Sequence, residues 1–306
     1  MTKDLKYSGV WPVAPTPFHN DGSLDLEGMK RILDCMVDQG VDGICILANF
    51  SEQFLLSDEE RDILTRLCLE HVAGRVPVIV TCSHFATDIV VARANQAAAL
   101  GAAMIMLMPP YHGALMRGMP GQTFEQFQAA GQAGIPIMVQ DAPLSGVELP
   151  VELLVRMGRE IEAVTCFKIE CAQAANKLRA LIEAGGDLIE GPFDGEEGIT
   201  LLADLDAGAT GCMTSALLPD LIRPAIMSHL EGDRPSAQAT YERVLPLINH
   251  ENRLCGFRAA KAVLKEGGVI SSDFCRHPIA PLSPEIRTTL LALAEELNPL
   301  ALSWGK

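Results

Sequence analysis

The sequence predicts a (β/α)8 barrel of the TIM type with a C-terminal helical extension. Three observations lead there. Short β-branched or aliphatic runs recur through the first two-thirds of the chain, longer stretches with helical spacing separate them, and after Leu230 only helical spacing remains. A doubly wound open sheet is the alternative for the same alternation.

Strands are expected at Val10–Ala14, Gly43–Leu47, Val78–Thr81, Met104–Met108, Ile135–Val139, Val164–Lys168, Leu188–Ile189 and Thr210–Met213. Helices are expected at Asp25–Gln39, Asp58–Val72, Asp88–Leu100, Thr123–Gln132, Val151–Arg159, Ala172–Ala184, Glu196–Asp206 and Leu218–Leu230. Ser57-Asp-Glu-Glu60 supplies the N-cap and first-turn acids of a helix start. The extension reads as helices at Ser236–Arg253, Gly256–Lys265 and Pro284–Leu297. Residues 1–230 are thus expected to be the catalytic barrel, and 231–306 a helical cap.

With 306 residues, 48% of them apolar, the chain can bury one large core. A formal net charge of −15 without any Lys/Arg run argues against nucleic acid or an anionic membrane as partner, which leaves a small molecule. No apolar run of signal-peptide length follows the N-terminal MTKDLKYSGVWP, and none in the chain approaches a membrane span, so the chain is expected in the cytoplasm. Nine cysteines, among them Cys45, Cys82, Cys166 and Cys212, form no C-x-x-C pair and read as buried reduced thiols. Met104, Met106 and Met108 alternate with apolar neighbours and read as core. The seven histidines hold no H-E-x-x-H pair, with His112 read as structural, and no G-x-G-x-x-G or Walker pattern occurs. No metal and no cofactor are expected.

In such barrels the strands' C-terminal ends carry the chemistry. Lys168 ends the apolar run Val164-Thr-Cys-Phe167, which would carry its amine into the barrel mouth. Desolvation there lowers an amine's pKa and frees the neutral nucleophile for carbonyl addition. The other lysines, at positions 3, 6, 30, 177, 261, 265 and 306, lie at termini or on expected helices and read as solvated heads on packed stems. Glu170 projects to the same side as Lys168, two residues along an extended strand. An ordinary ion pair is the alternative for both.

The opening Gly9-Val-Trp-Pro-Val-Ala-Pro-Thr-Pro-Phe18 and Asp21-Gly-Ser-Leu-Asp25 resemble the start of the dihydrodipicolinate synthase and N-acetylneuraminate lyase family. The resemblance continues through 43–60, Pro109-Pro-Tyr111, 136–143, Phe167-Lys168, Gly208-Ala-Thr-Gly211 and Arg276-His-Pro278. It implies that Lys168, in place of the family's imine-forming lysine, attacks a 2-keto acid. It also implies that Tyr111 matches a tyrosine reaching into a neighbouring subunit's site, hence a homo-oligomer, dimer or tetramer. An interfacial aromatic is the plain alternative for Tyr111.

Departures from the family's pattern point to the reaction. Ala48-Asn-Phe-Ser-Glu52 stands where the family usually has Gly-Thr-Thr-Gly-Glu, losing both threonines that hold the keto acid's carboxylate. Asn49 and the amides near Phe50 and Ser51 could take over, with loop packing as the alternative for Phe50. Gln140, in Gln140-Asp-Ala-Pro143, replaces the proton-shuttling tyrosine and cannot exchange protons usefully near neutral pH. Gly195, closing Gly191-Pro-Phe-Asp-Gly195, and Met213 complete the candidate substrate-binding set.

This combination resembles the branch of 2-keto-3-deoxy-sugar-acid dehydratases. It implies a hydro-lyase, most in keeping with conversion of L-2-keto-3-deoxyarabonate to 2-oxoglutarate semialdehyde and water in pentose breakdown. Glu170 is the expected proton carrier, with a positioned water as the alternative. A pyruvate-dependent aldolase or synthase, and a noncatalytic keto-acid sensor, are the competing readings.

Overall fold

The structure is a computed structural model and describes residues 5–112, 116–142 and 146–306. Pro143, which closes one of the family-like motifs, and Lys3, one of the lysines assigned to the termini, lie outside the described residues. Among the described residues eight parallel strands alternate with eight helices in chain order, and the chain adopts the (β/α)8 barrel fold with a C-terminal helical extension. By density of contacts it falls into two compact units. One joins Met1–Gly9 to Ile79–Met213, the other joins Val10–Val78 to Thr214–Lys306.

In the first unit run strands β3 (Val78–Thr81), β4 (Met104–Leu107), β5 (Ile137–Asp141), β6 (Val164–Ile169), β7 (Glu190–Asp194) and β8 (Gly211–Cys212), each parallel to the next. They are almost wholly buried, as parallel strands covered by helices on one side and a packed core on the other must be. Their crossover helices are α3 (Thr87–Ala99), α4 (Pro120–Gly131), α5 (Val151–Glu160), α6 (Ala174–Gly185) and α7 (Leu201–Asp206). A short antiparallel ribbon pairs Tyr111 with Arg117 and His112 with Met116.

In the second unit, strand β1 (Gly9–Val10) leads to Val13, which bridges in parallel to Cys45 on one side and Ser215 on the other. The first strand's neighbours are therefore the second strand, β2 (Ile44–Ile46), and the segment after the eighth. Helices α1 (Leu26–Asp38), α2 (Asp58–Val72), α8 (Pro219–Leu230), α9 (Arg234–His250), α10 (Arg258–Glu266) and α11 (Pro284–Leu297) complete it. Ser57 and Glu60 form the expected capping box of α2.

Several element ends move, the first strand pairing over Gly9–Val10 where Val10–Ala14 was expected, and three elements shift for an identifiable local reason. The seventh strand lies at Glu190–Asp194, whereas Gly186–Leu188 forms a 3-10 turn, so Leu188 and Ile189 only lead into it. Gly191 takes a φ of +48° inside the strand, and Pro192 accepts a hydrogen bond from the Thr210 amide. Helix α7 starts at Leu201 instead of Glu196, because Glu197 and Gly198 have φ of +55° and +88° and cannot continue a right-handed helix. The expected helix to Arg253 ends at His250 and passes into a π turn, Glu251–Cys255.

The three methionines of β4 and its end are buried, and none of the nine cysteines forms a disulfide among the described residues, with Cys171 and Cys275 less buried than the rest. Among the described residues no helix is long and apolar enough to cross a membrane.

Candidate active site

Strand β6 decides the geometry of the first unit's chemistry. Lys168 is its fifth residue, flanked by Phe167 and Ile169, and only 4% of its surface is exposed. Its Nζ donates to Glu170 Oε2 at 2.6 Å. The same oxygen accepts from Gln140 Nε2 at 2.8 Å, because Gln140 on β5 stands opposite Lys168 in the strand register. Amine, carboxylate and amide thus converge on one oxygen. Gln140 Oε1 is buried and has no hydrogen-bond partner among the described residues, a costly state unless a donor arrives.

Gly195 borders this trio. Its amide donates to Ile169 O at 3.0 Å, and a β carbon in its place would sit 2.8 Å from Glu170 Cβ. Met213, following β8, is buried. Tyr111 lies on the ribbon and is half-buried, which pushes its phenol above the usual value.

Asn49, Phe50 and Ser51 belong to the second unit, on a 3-10 turn after β2. Asn49 Oδ1 accepts from Gln53 Nε2 at 2.7 Å. Phe50 packs edge-on against Phe257 at 6.4 Å between ring centroids, the packing role considered for it. The Ser51 hydroxyl donates to Ala14 O at 2.6 Å and accepts from the Ala48 amide, and the Ser51 amide donates to Ala48 O. Ser51 is therefore engaged with the backbone of its own loop and with Ala14, just after the first strand.

The glutamate this loop keeps, Glu52, has a left-handed φ of +58° and is held by a buried ion pair with Lys261. Lys261 was expected to be solvated, yet it is wholly buried. Ala259, Ala260, Ala262, Val263 and Leu264 around it are buried too, so helix α10 has apolar packing on all sides here. Glu52 neutralises the amine, Phe274 O accepts from it at 2.8 Å, and the Phe18 ring faces it at 4.5 Å. Lys177 also departs from the expected solvated head, pairing with Asp141 at 2.5 Å.

Asp194 and Asp204 are among the buried acids that escaped the sequence reading. Asp194 lay just beyond the expected seventh strand, and Asp204 fell on an expected helix with no spacing signal. An aspartate inside an apolar run next to two glycines was the one available hint.

A (β/α)8 barrel with a buried lysine–carboxylate pair at the end of its sixth strand defines a lyase of the class I aldolase type. The chain matches the dihydrodipicolinate synthetase family over residues 6–297 and belongs to it. It is 58% identical over 301 residues to L-2-keto-3-deoxyarabonate dehydratase of Azospirillum brasilense, covering 98% of this chain and 97% of that protein. It is 28% identical over 289 residues to 4-hydroxy-tetrahydrodipicolinate synthase of Nitrobacter hamburgensis, covering 93% and 94%. The crystal structure of dihydrodipicolinate synthase from Rhodopseudomonas palustris aligns with a TM-score of 0.86 at 26% identity, covering 94% of this chain and 97% of that one.

Proposed function

We propose that this chain dehydrates a 2-keto-3-deoxy sugar acid, L-2-keto-3-deoxyarabonate by the similarity to the Azospirillum enzyme, through a Schiff base on Lys168. The observation that carries the reading is the convergence of Lys168 Nζ and Gln140 Nε2 on Glu170 Oε2. Glu170 takes the ammonium proton along the 2.6 Å hydrogen bond, and the neutral amine adds to carbon 2. Glu170 returns the proton to the departing carbinolamine hydroxyl, and loss of water gives the iminium, which acidifies carbon 3.

Glu170 removes a carbon 3 proton, and the enamine expels the carbon 4 hydroxyl as water. A proton then leaves carbon 5, carbon 3 is reprotonated, and the resulting enol takes a proton at carbon 4 as its carbon 5 hydroxyl loses one, which leaves the aldehyde. Hydrolysis of the imine releases 2-oxoglutarate semialdehyde and frees Lys168. Gln140 serves binding: its amide orients Glu170, and its unpartnered Oε1 accepts from a substrate hydroxyl. Gly195 and Met213 bound the substrate on the Lys168 unit. Tyr111 serves a neighbouring copy in a cytoplasmic homo-oligomer, and residues 231–306 cap the catalytic barrel of 1–230.

Incubation with L-2-keto-3-deoxyarabonate tests the reaction. 2-Oxoglutarate semialdehyde is the expected product. Pyruvate with a small aldehyde would replace the dehydratase by an aldolase, and no turnover of any 2-keto-3-deoxy acid would favour a sensor.

A further inference from the structure

Asp194, ending β7, and Asp204, in α7, are both wholly buried, and the reaction above uses neither. Asp194 accepts from the Glu196 amide at 3.1 Å and from the Cys212 thiol at 3.1 Å. Asp204 Oδ2 accepts from the Thr200 hydroxyl at 2.6 Å, while its Oδ1 meets no donor among the described residues. The Asp194 carboxyl is the group it shares a hydrogen bond with.

Two carboxyls in contact away from water resist ionising together, so one proton serves the pair until rising pH removes it. The donors decide where it resides. Asp194 has two donors besides its neighbour and is the better carboxylate, whereas Asp204 has one. The proton therefore sits on Asp204 and is donated to Asp194. Burial and the adjacent Asp194 charge push the Asp204 carboxyl up to about 7. The neighbouring charges agree with a single negative charge here. Glu196 and Glu197 of the following turn and Glu170 of β6 add like charge, Lys168 of β6 opposes it, and the buried Cys212 thiol of β8 is neutral.

Asp194 is the anchor of the turn that carries Gly195, and Gly195 lies against Glu170. We propose that Asp204 is a positioning residue of the Schiff-base site: protonated, it clamps Asp194, and through Asp194 it holds Gly195 against Glu170. The clamp rests on the proposed role of Glu170. Ionisation of Asp204 sets two buried carboxylates against each other and releases the turn, so turnover declines as the medium becomes alkaline.

Asp204→Asn keeps a donor to Asp194 and cannot ionise, while Asp204→Ala removes the donor. Turnover and borohydride trapping of pyruvate are measured for both, from mildly acidic to alkaline pH. The Asn variant is expected to keep kcat and lose the alkaline decline. The Ala variant is expected to trap pyruvate on Lys168 but to lose roughly 10²-fold in kcat, the scale of a misplaced catalytic group. An unchanged alkaline decline in the Asn variant, or a parental kcat in the Ala variant, overturns the clamp. If the Ala variant does not fold, the Asn pH profile still decides. Absence of any Lys168 adduct in the unaltered enzyme removes the Schiff-base reading itself, a failure separable from that of the clamp alone.

Discussion

Lys168 and Glu170, two residues apart on one strand, meet at 2.6 Å with their side chains 5% and 13% exposed. A pair this dry is held by strong charge-assisted hydrogen bonding and is costly to break from one side. It also gives the amine a short path for losing its proton. Gln140, donating to the same oxygen, fixes which way the carboxylate faces.

Replacing Glu170 with glutamine keeps the shape and removes the proton carrier. Trapping of pyruvate on Lys168 should persist while kcat falls by roughly 10²–10⁴-fold, the usual range for a general acid/base. Unchanged kcat would move the proton chemistry to another group.

Gly195→Ala would place a β carbon 2.8 Å from Glu170 Cβ and 2.9 Å from Ile169 O, distances that force a shift. The variant should fold but lose about 10²-fold in kcat through displacement of Glu170. A parental kcat with a parental melting temperature would show that Glu170 tolerates the push.

Lys261→Met strands the Glu52 carboxylate in the interior, with the Arg276 amide at 3.2 Å as a remaining donor. Loss of one partner of a buried pair costs roughly 3–5 kcal/mol, read as a lower denaturant midpoint. Adding Glu52→Gln should recover part of that loss. No recovery would mean that packing around the lysine stem, rather than charge, sets the cost.

The fold and the central lysine were legible because each rests on a local pattern. Strand–helix alternation follows from hydrophobic period, and Lys168 stands out as the one charge closing an apolar run. Glu170 was legible from strand alternation alone. Lys261 was not, because its partner Glu52 is 209 residues away and nothing local marks a lysine as paired. The Asp194–Asp204 pair was hidden twice, by a strand that runs through Gly191 and Pro192 and by a left-handed turn that delays α7. The spacing of the sequence carries no signal for either.

Stability should depend on pH through Glu251, a wholly buried residue in the π turn. Burial pushes its carboxyl from the ordinary 4.5 up to about 7. The folded chain then binds this proton more tightly than the unfolded chain. Its contribution is present below the ordinary carboxyl range and is lost as pH rises through about 7. Glu251→Gln should flatten the melting temperature over that window and, above it, stabilise the fold by up to roughly 3 kcal/mol. Parallel curves for variant and parent would contradict this.

The imine on Lys168 is the premise of the whole account, and borohydride reduction in the presence of pyruvate reads it directly. Peptide mass spectrometry should find one reduced pyruvyl adduct, on Lys168, abolished by Lys168→Ala. An enzyme that turns over its keto acid with no adduct there, or with the adduct on another lysine, would contradict the account.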